Sequence, residues 1–141
     1  MNGFLLDTNC VSELVSPQPA LSVTEWMDST DENLLYLSAL TIGEIRKGVA
    51  GLANGKRKTR LEAWLEFELP ARFAGRVVPI DSMIADRWGM LAADMKRLGK
   101  ALSVIDGLIA ATAIHHNLTI VSRNLRDFSG TRAKLLNLWN A

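Results

Sequence analysis

Five short apolar runs, each bounded by polar or turn residues, constrain this chain more than anything else in it. They are Phe4-Leu5-Leu6, Leu34 to Leu37, Val77 to Ile80, Thr119-Ile120-Val121 and Leu135 to Leu138. Between them lie stretches of helical period. Residues 10–15 read as a short helix that stops before Pro17 and Pro19, and residues 20–29 as a second, with Val23, Trp26 and Met27 inward. Thr41 opens a third, with Ile42, Ile45, Val49 and Leu52 at helical spacing, closed by Asn54-Gly55. A fourth covers residues 57–69 and ends at Pro70. Asp81 caps a long helix carrying Ile84, Trp88, Leu91 and Met95, which Gly99 terminates. Ser103 starts an alanine-rich helix, apolar on nearly every side and therefore buried. Strand-length runs alternating with helices predict an α/β chain: a central, mostly parallel sheet of four to five strands, covered by helices.

The totals narrow the classes. With 141 residues, 48% apolar and 22% charged, the chain is expected to form one globular domain, residues 1–141. A net charge of +1 gives no bulk attraction for nucleic acid. The positive residues are instead clustered, at Lys56-Arg57-Lys58-Thr59-Arg60, at Lys96, Arg97 and Lys100, and at Arg123 with Arg126. Cys10 is the single cysteine, so no internal disulfide and no zinc spacing exist; it reads as a small buried hydrophobe. No apolar run is long enough to span a bilayer, and the N-terminus lacks a signal-peptide pattern, so a cytoplasmic, membrane-free setting is expected.

In a parallel α/β sheet ligands bind at the rim where strands end and helices begin. Asp7 follows the first strand, Glu44 falls in the first turn of the helix opened by Thr41, and Asp106 in that opened by Ser103. Ser122-Arg123-Asn124 follows the fourth strand, with Asp127 three residues on. Each acid alone reads as a helix cap or a dipole partner. Together at one rim they repel each other unless cations neutralise them, and an all-oxygen set suits Mg²⁺ or Mn²⁺ rather than zinc.

These same residues carry a family resemblance. Phe4-Leu5-Leu6-Asp7-Thr8-Asn9, Gly43-Glu44-Ile45-Arg46-Lys47-Gly48-Val49, Ile105-Asp106-Gly107 with the alanine-rich run after it, and Leu118 to Asn124 with Asp127-Phe128 resemble, in order, the four motifs of PIN domains. Order, spacing and length are similar to the VapC toxins of bacterial toxin–antitoxin pairs, in the FitB-like branch. The resemblance implies a PIN-like three-layer α/β/α sandwich and a Mg²⁺- or Mn²⁺-dependent endoribonuclease acting on RNA, transfer RNA included. Asp7, Glu44 and Asp106 carry over as catalytic and metal-holding acids, with Asn124 and Asp127 as further ligands. Asn124 stands where many PIN domains have Asp, which removes one formal charge. Thr8, Asn9, Ser122 and Asn124 are expected to support the site or touch substrate. The resemblance further implies a homodimer or higher assembly and a VapB-like antitoxin whose C-terminal segment places an Arg in the acidic site. Operator DNA would bind through the antitoxin complex.

Two other readings stand beside this one. A PIN-like module could act mainly within an operator-binding antitoxin complex, and would survive loss of metal. A phosphoryl-accepting α/β domain also places an acid after a strand, but normally repeats the acid two residues on, where this chain has Asn9. His115 and His116 suit a helix C-terminus. The four tryptophans, Trp26, Trp64, Trp88 and Trp139, read as core or interface ahead of base-stacking platforms, and the 56–60 run as a solvated helix start, with a track for phosphate backbone as the alternative.

Overall fold

The computed structural model describes residues 2–139. Its strands are β1 (Gly3–Leu6), β2 (Leu35–Ser38), β3 (Val77–Val78), β4 (Leu118–Val121) and β5 (Lys134–Leu136). They form one sheet in the order β3-β2-β1-β4-β5, and every pairing is parallel. β1 is therefore central, with Leu6 opposite Val121 of β4.

The helices are α1 (Thr8–Ser12), α2 (Leu21–Ser29), α3 (Ala39–Ala50), α4 (Lys56–Ala63), α5 (Leu69–Arg72), α6 (Ser82–Arg97) and α7 (Val104–His116). Because successive strand residues face opposite ways, β1 feeds two cores. Leu6 joins Leu35, Leu37 and Val121 beneath α1 to α5, where Cys10, Val23, Ile45, Trp64 and Phe73 pack. Leu5 joins Leu118 and Ile120 beneath α7, against Ile109, Ala110 and Ala113, with Leu91 of α6 alongside. The sandwich thus has three layers, as expected from the sequence.

The caps at Asp81 and Ser103 form as read: Asp81 accepts from the Ile84 amide at 2.9 Å and Ser103 from the Asp106 amide at 3.1 Å. Each is worth about 1 kcal/mol. Gly99 adopts a φ of 71°, and its amide and that of Lys100 close onto Lys96 and Met95 at 3.0 Å each, ending α6.

Three local expectations need correction. Thr41 does not open α3. Ser38, the last residue of β2, does so by accepting from the Leu40 amide at 3.1 Å. The helix begins directly where the strand stops, so Thr41 is buried inside it and Glu44 lies in its second turn. At its other end α3 closes on Gly51, ahead of Asn54-Gly55. Nor does Pro70 end the fourth helix. Residues 64–68 form a π turn in which the Leu69 amide reaches back to the Trp64 carbonyl. This wider turn precedes the proline and relieves the crowding of its ring on the preceding turn, so α5 continues to Arg72.

Candidate active site

Asp7 is the first residue beyond β1. Its backbone amide still bonds across to the Val121 carbonyl at 2.9 Å, while its own carbonyl accepts the Cys10 and Val11 amides of α1. The carboxylate is held at both oxygens: Oδ1 accepts from the Thr8 amide at 2.9 Å and Oδ2 from the Ser122 hydroxyl at 2.8 Å. Burial raises its pKa above the usual carboxylate value, the two hydrogen bonds oppose that, and the charges of Glu44 and Asp127 add to the rise.

Ser122 is fully buried and uses all of its hydroxyl. It donates to Asp7 and accepts from Asn9 Nδ2 at 3.3 Å and from the Asn124 amide at 3.1 Å. Asn9 completes the clamp by accepting the Arg123 amide on Oδ1 at 3.1 Å. The turn after β4 is thereby fixed to the turn after β1. Glu44 comes in from α3, where Oε1 accepts the Thr8 hydroxyl at 2.8 Å.

Asp106 occupies the first turn of α7. Its pKa is also raised, first by burial and further by the charges of Asp127 and Asp7, against the Ser103 bond that lowers it. Asp127 lies exposed in the 3₁₀ turn Leu125–Phe128, and its amide bonds the Asn124 carbonyl at 3.1 Å. The Asn124 side chain is exposed, and its backbone rather than its amide group is engaged by the clamp.

The acids singled out in the sequence thus converge on one rim and feel one another's charge. Of the four ion pairs among the described residues, Arg46–Glu66, Arg72–Glu32, Arg76–Glu32 and Arg97–Asp94, none involves Asp7, Glu44, Asp106 or Asp127. Among the described residues the acids of the rim therefore have no ion-pair partner. Among the described residues no three acids, cysteines or histidines close into a ready-made metal cage. The side-chain donors of Asp7, Glu44, Asp106 and Asp127 are all oxygens, the chemistry that a magnesium-like ion takes.

A sequence profile described as "PIN domain" matches residues 4–134. The chain belongs to the PIN-domain family. This PIN domain is 41% identical over 136 residues to the toxin FitB of Neisseria gonorrhoeae, covering 96% of this chain and 98% of that one. It is 38% identical to a VapC ribonuclease of Sinorhizobium fredii, with 96% of each covered. Among solved structures, FitAB bound to a DNA fragment superposes with a TM-score of 0.92 at 39% identity, covering 98% of this chain and 96% of that one. The parallel sheet and three layers are thus those of the family.

Two features of this PIN domain escaped the sequence. Trp139 donates its indole N–H to Glu13 Oε2 at 2.8 Å, which brings the C-terminal segment beside α1 and the acidic rim. No spacing signal links residues 126 positions apart. Gly107 is the second. Its neighbour in space is Trp88, so close that a Cβ there would stand 2.8 Å from the indole. The histidines lie at the far end of α7 from Asp106, where His115 Nδ1 accepts from Arg87 Nε at 3.0 Å.

Proposed function

We propose that this PIN domain, one domain over residues 1–141, is the toxin of a toxin–antitoxin pair and a divalent-metal-dependent endoribonuclease of the cytoplasm. The observation that carries the reading is the acidic rim, where Asp7, Glu44, Asp106 and Asp127 lie together and, among the described residues, none of them forms an ion pair. The names of the relatives, a toxin and a ribonuclease, agree with it.

Asp7 and Asp106 would hold Mg²⁺ or Mn²⁺, with Glu44 completing the site through water and with Asn124 or Asp127 at its edge. Bound there, the ion neutralises phosphate charge, lowers the pKa of bound water and stabilises the departing oxygen. The chain's own part is orientation. Ser122 and the Thr8 amide fix both oxygens of Asp7, and the Thr8 hydroxyl fixes Glu44, which orients the attacking water. In the hydrolysis a water oxygen adds to phosphorus and the P–O3′ bond breaks. One product keeps a 5′-phosphate, and the 3′-oxygen leaves with a proton. An antitoxin, with an Arg entering the rim, supplies the missing positive charge and blocks it; a homodimer completes the assembly.

The test is cleavage of labelled structured RNAs, transfer RNA among them, by wild-type and Asp7→Asn protein with Mg²⁺, Mn²⁺ or EDTA. Metal-dependent cutting that disappears in the variant is expected. Wild-type rates from Asp7→Asn would sink the site assignment. The relative whose structure is bound to a DNA fragment favours a second reading, a weakly catalytic module of an operator-binding complex. No cutting by folded, antitoxin-free protein, together with operator binding when antitoxin is added, would select it.

A further inference from the structure

Among the described residues one buried side-chain atom has no hydrogen-bond partner, and it is Thr41 Oγ1. Thr41 is fully buried, in the first turn of α3. A buried hydroxyl without a partner gives up its hydration for nothing, so such an atom asks for a cause. Threonines within a helix commonly settle on the carbonyl four residues back. Thr112 does so with Leu108 at 2.7 Å, and Thr59 with Gly55 at 3.1 Å. For Thr41 the residue four back is Leu37, which is still extended in β2 because the helix starts directly where the strand stops. No helical carbonyl lies beneath this hydroxyl.

The hydroxyl belongs to the neighbourhood of the acidic rim. In the parallel pairing Phe4 stands opposite Leu35 and Leu5 opposite Tyr36, so the same register continued puts Asp7 beside Ser38, the cap of α3. Thr41 follows three residues later. Along α3 it shares a face with Glu44 and Ile45, three and four positions on. That face is turned to α1 and β1: Glu44 accepts the Thr8 hydroxyl at 2.8 Å, and Ile45 packs with Leu6, Cys10 and Val11. Thr41 is thus one helical turn before Glu44, next to the junction where β1 passes through Asp7 into α1. Among the described residues Glu44 accepts on Oε1 only, so its second oxygen has room for another donor.

We propose that Thr41 is a positioning residue of the metal site, its hydroxyl being a donor that the rim's carboxylates take up when they close on a divalent ion. Without the ion the carboxylates repel one another and the hydroxyl goes unpaired. With it they draw together and Thr41 gains its bond. A bond made only in the loaded state adds to metal affinity and not to the stability of the bare fold. The proposal rests on the metal-dependent reading of the rim and adds to it a residue that holds the carboxylates in place.

The experiment uses full-length protein, stripped with EDTA and titrated with MnCl₂ by isothermal titration calorimetry, with melting followed in EDTA. Thr41→Val keeps the shape of the side chain and removes its hydroxyl. It should weaken Mn²⁺ binding about tenfold, yet melt above wild type in EDTA, because an unpaired buried hydroxyl is gone. Thr41→Ser keeps the hydroxyl and loses a buried methyl. It should melt below wild type and bind Mn²⁺ as wild type does. The Mg²⁺ concentration that half-saturates RNA cleavage should rise about tenfold in Thr41→Val and stay unchanged in Thr41→Ser. A residue that only packs would leave Mn²⁺ binding alone in both. Mn²⁺ binding unchanged in Thr41→Val, or weakened equally in Thr41→Ser, overturns the proposal and leaves the nuclease standing. Melting of Thr41→Val below wild type in EDTA overturns it too, since the hydroxyl would already be engaged without metal. Wild-type protein that takes up no Mn²⁺ overturns the metal-dependent reading and this proposal together.

Discussion

Gly107 lies one residue after Asp106, inside α7, and is fully buried against Trp88. Replacing it by alanine sets two effects against each other. A helix-interior Gly→Ala change alone stabilises by about 1 kcal/mol. Here the new Cβ would stand 2.8 Å from both Cδ1 and Nε1 of Trp88 and 3.3 Å from Leu102 Cδ2. Carbon atoms prefer roughly 3.5–4.0 Å, so the indole must move, and overpacking of this kind costs about 1–3 kcal/mol. The net expectation is a loss on the order of 1 kcal/mol, roughly 2–4 °C in Tm for a chain of this size. Gly89, in the middle of α6, has nothing within 4 Å of its hypothetical Cβ. Gly89→Ala should therefore move Tm the other way by a similar amount. Differential scanning calorimetry of the two variants measures the gap, and RNA cleavage reports whether the displaced indole tilts Asp106. Trp88→Phe should restore Gly107→Ala by making room. The close-approach argument fails if Gly107→Ala melts at or above wild type alongside Gly89→Ala.

Asp7 and Asp106 have folded pKa values above their unfolded ones, so the metal-free fold binds their protons more tightly than the unfolded chain does. Stability then falls as pH rises from about 3.9 through the folded values, and stays lower above them. In EDTA at neutral pH, Asp7→Asn should melt above wild type; added Mg²⁺ should raise wild type alone, and a lower-melting variant in EDTA would contradict the electrostatic account. Ser122→Ala strands Asn9 Nδ2 and the Asn124 amide and releases Asp7 Oδ2. It should cost about 1–3 kcal/mol in urea unfolding and lower cleavage without changing metal preference. Cys10 is fully buried, and burial pushes its thiol up to about 12, so iodoacetamide at pH 8 should label it only after denaturation; labelling of native protein at the denatured rate would refute its burial.

The parts of the site legible in the sequence were those decided locally. Asp7 could be placed because an apolar strand broke abruptly into polar residues, and Asp106 because Ser103 is a good cap before a helical run. α3 shows where locality fails. Thr41 and Glu44 have capping-box spacing, but Ser38 is an equally good cap, and only the sheet, by ending β2 at Ser38, decides between them. Pro70 was a stop by every local rule, and nothing in the composition of residues 64–68 announces the π turn that lets the helix pass it. The Asn9–Ser122–Arg123 clamp and the seating of Trp139 on Glu13 join positions more than a hundred residues apart, with no period for a single sequence to display.

The central place of β1 also sets an order in time. It is the first strand to be synthesised, yet one of its two edges is covered only by β4, at residues 118–121. A chain growing from its N-terminus carries Asp7 from the outset but lacks the hydroxyl that orients it until residue 122 has been added. Asp106 and the turn holding Asn124 and Asp127 arrive late as well. An unfinished copy still attached to the ribosome therefore has no assembled acidic rim.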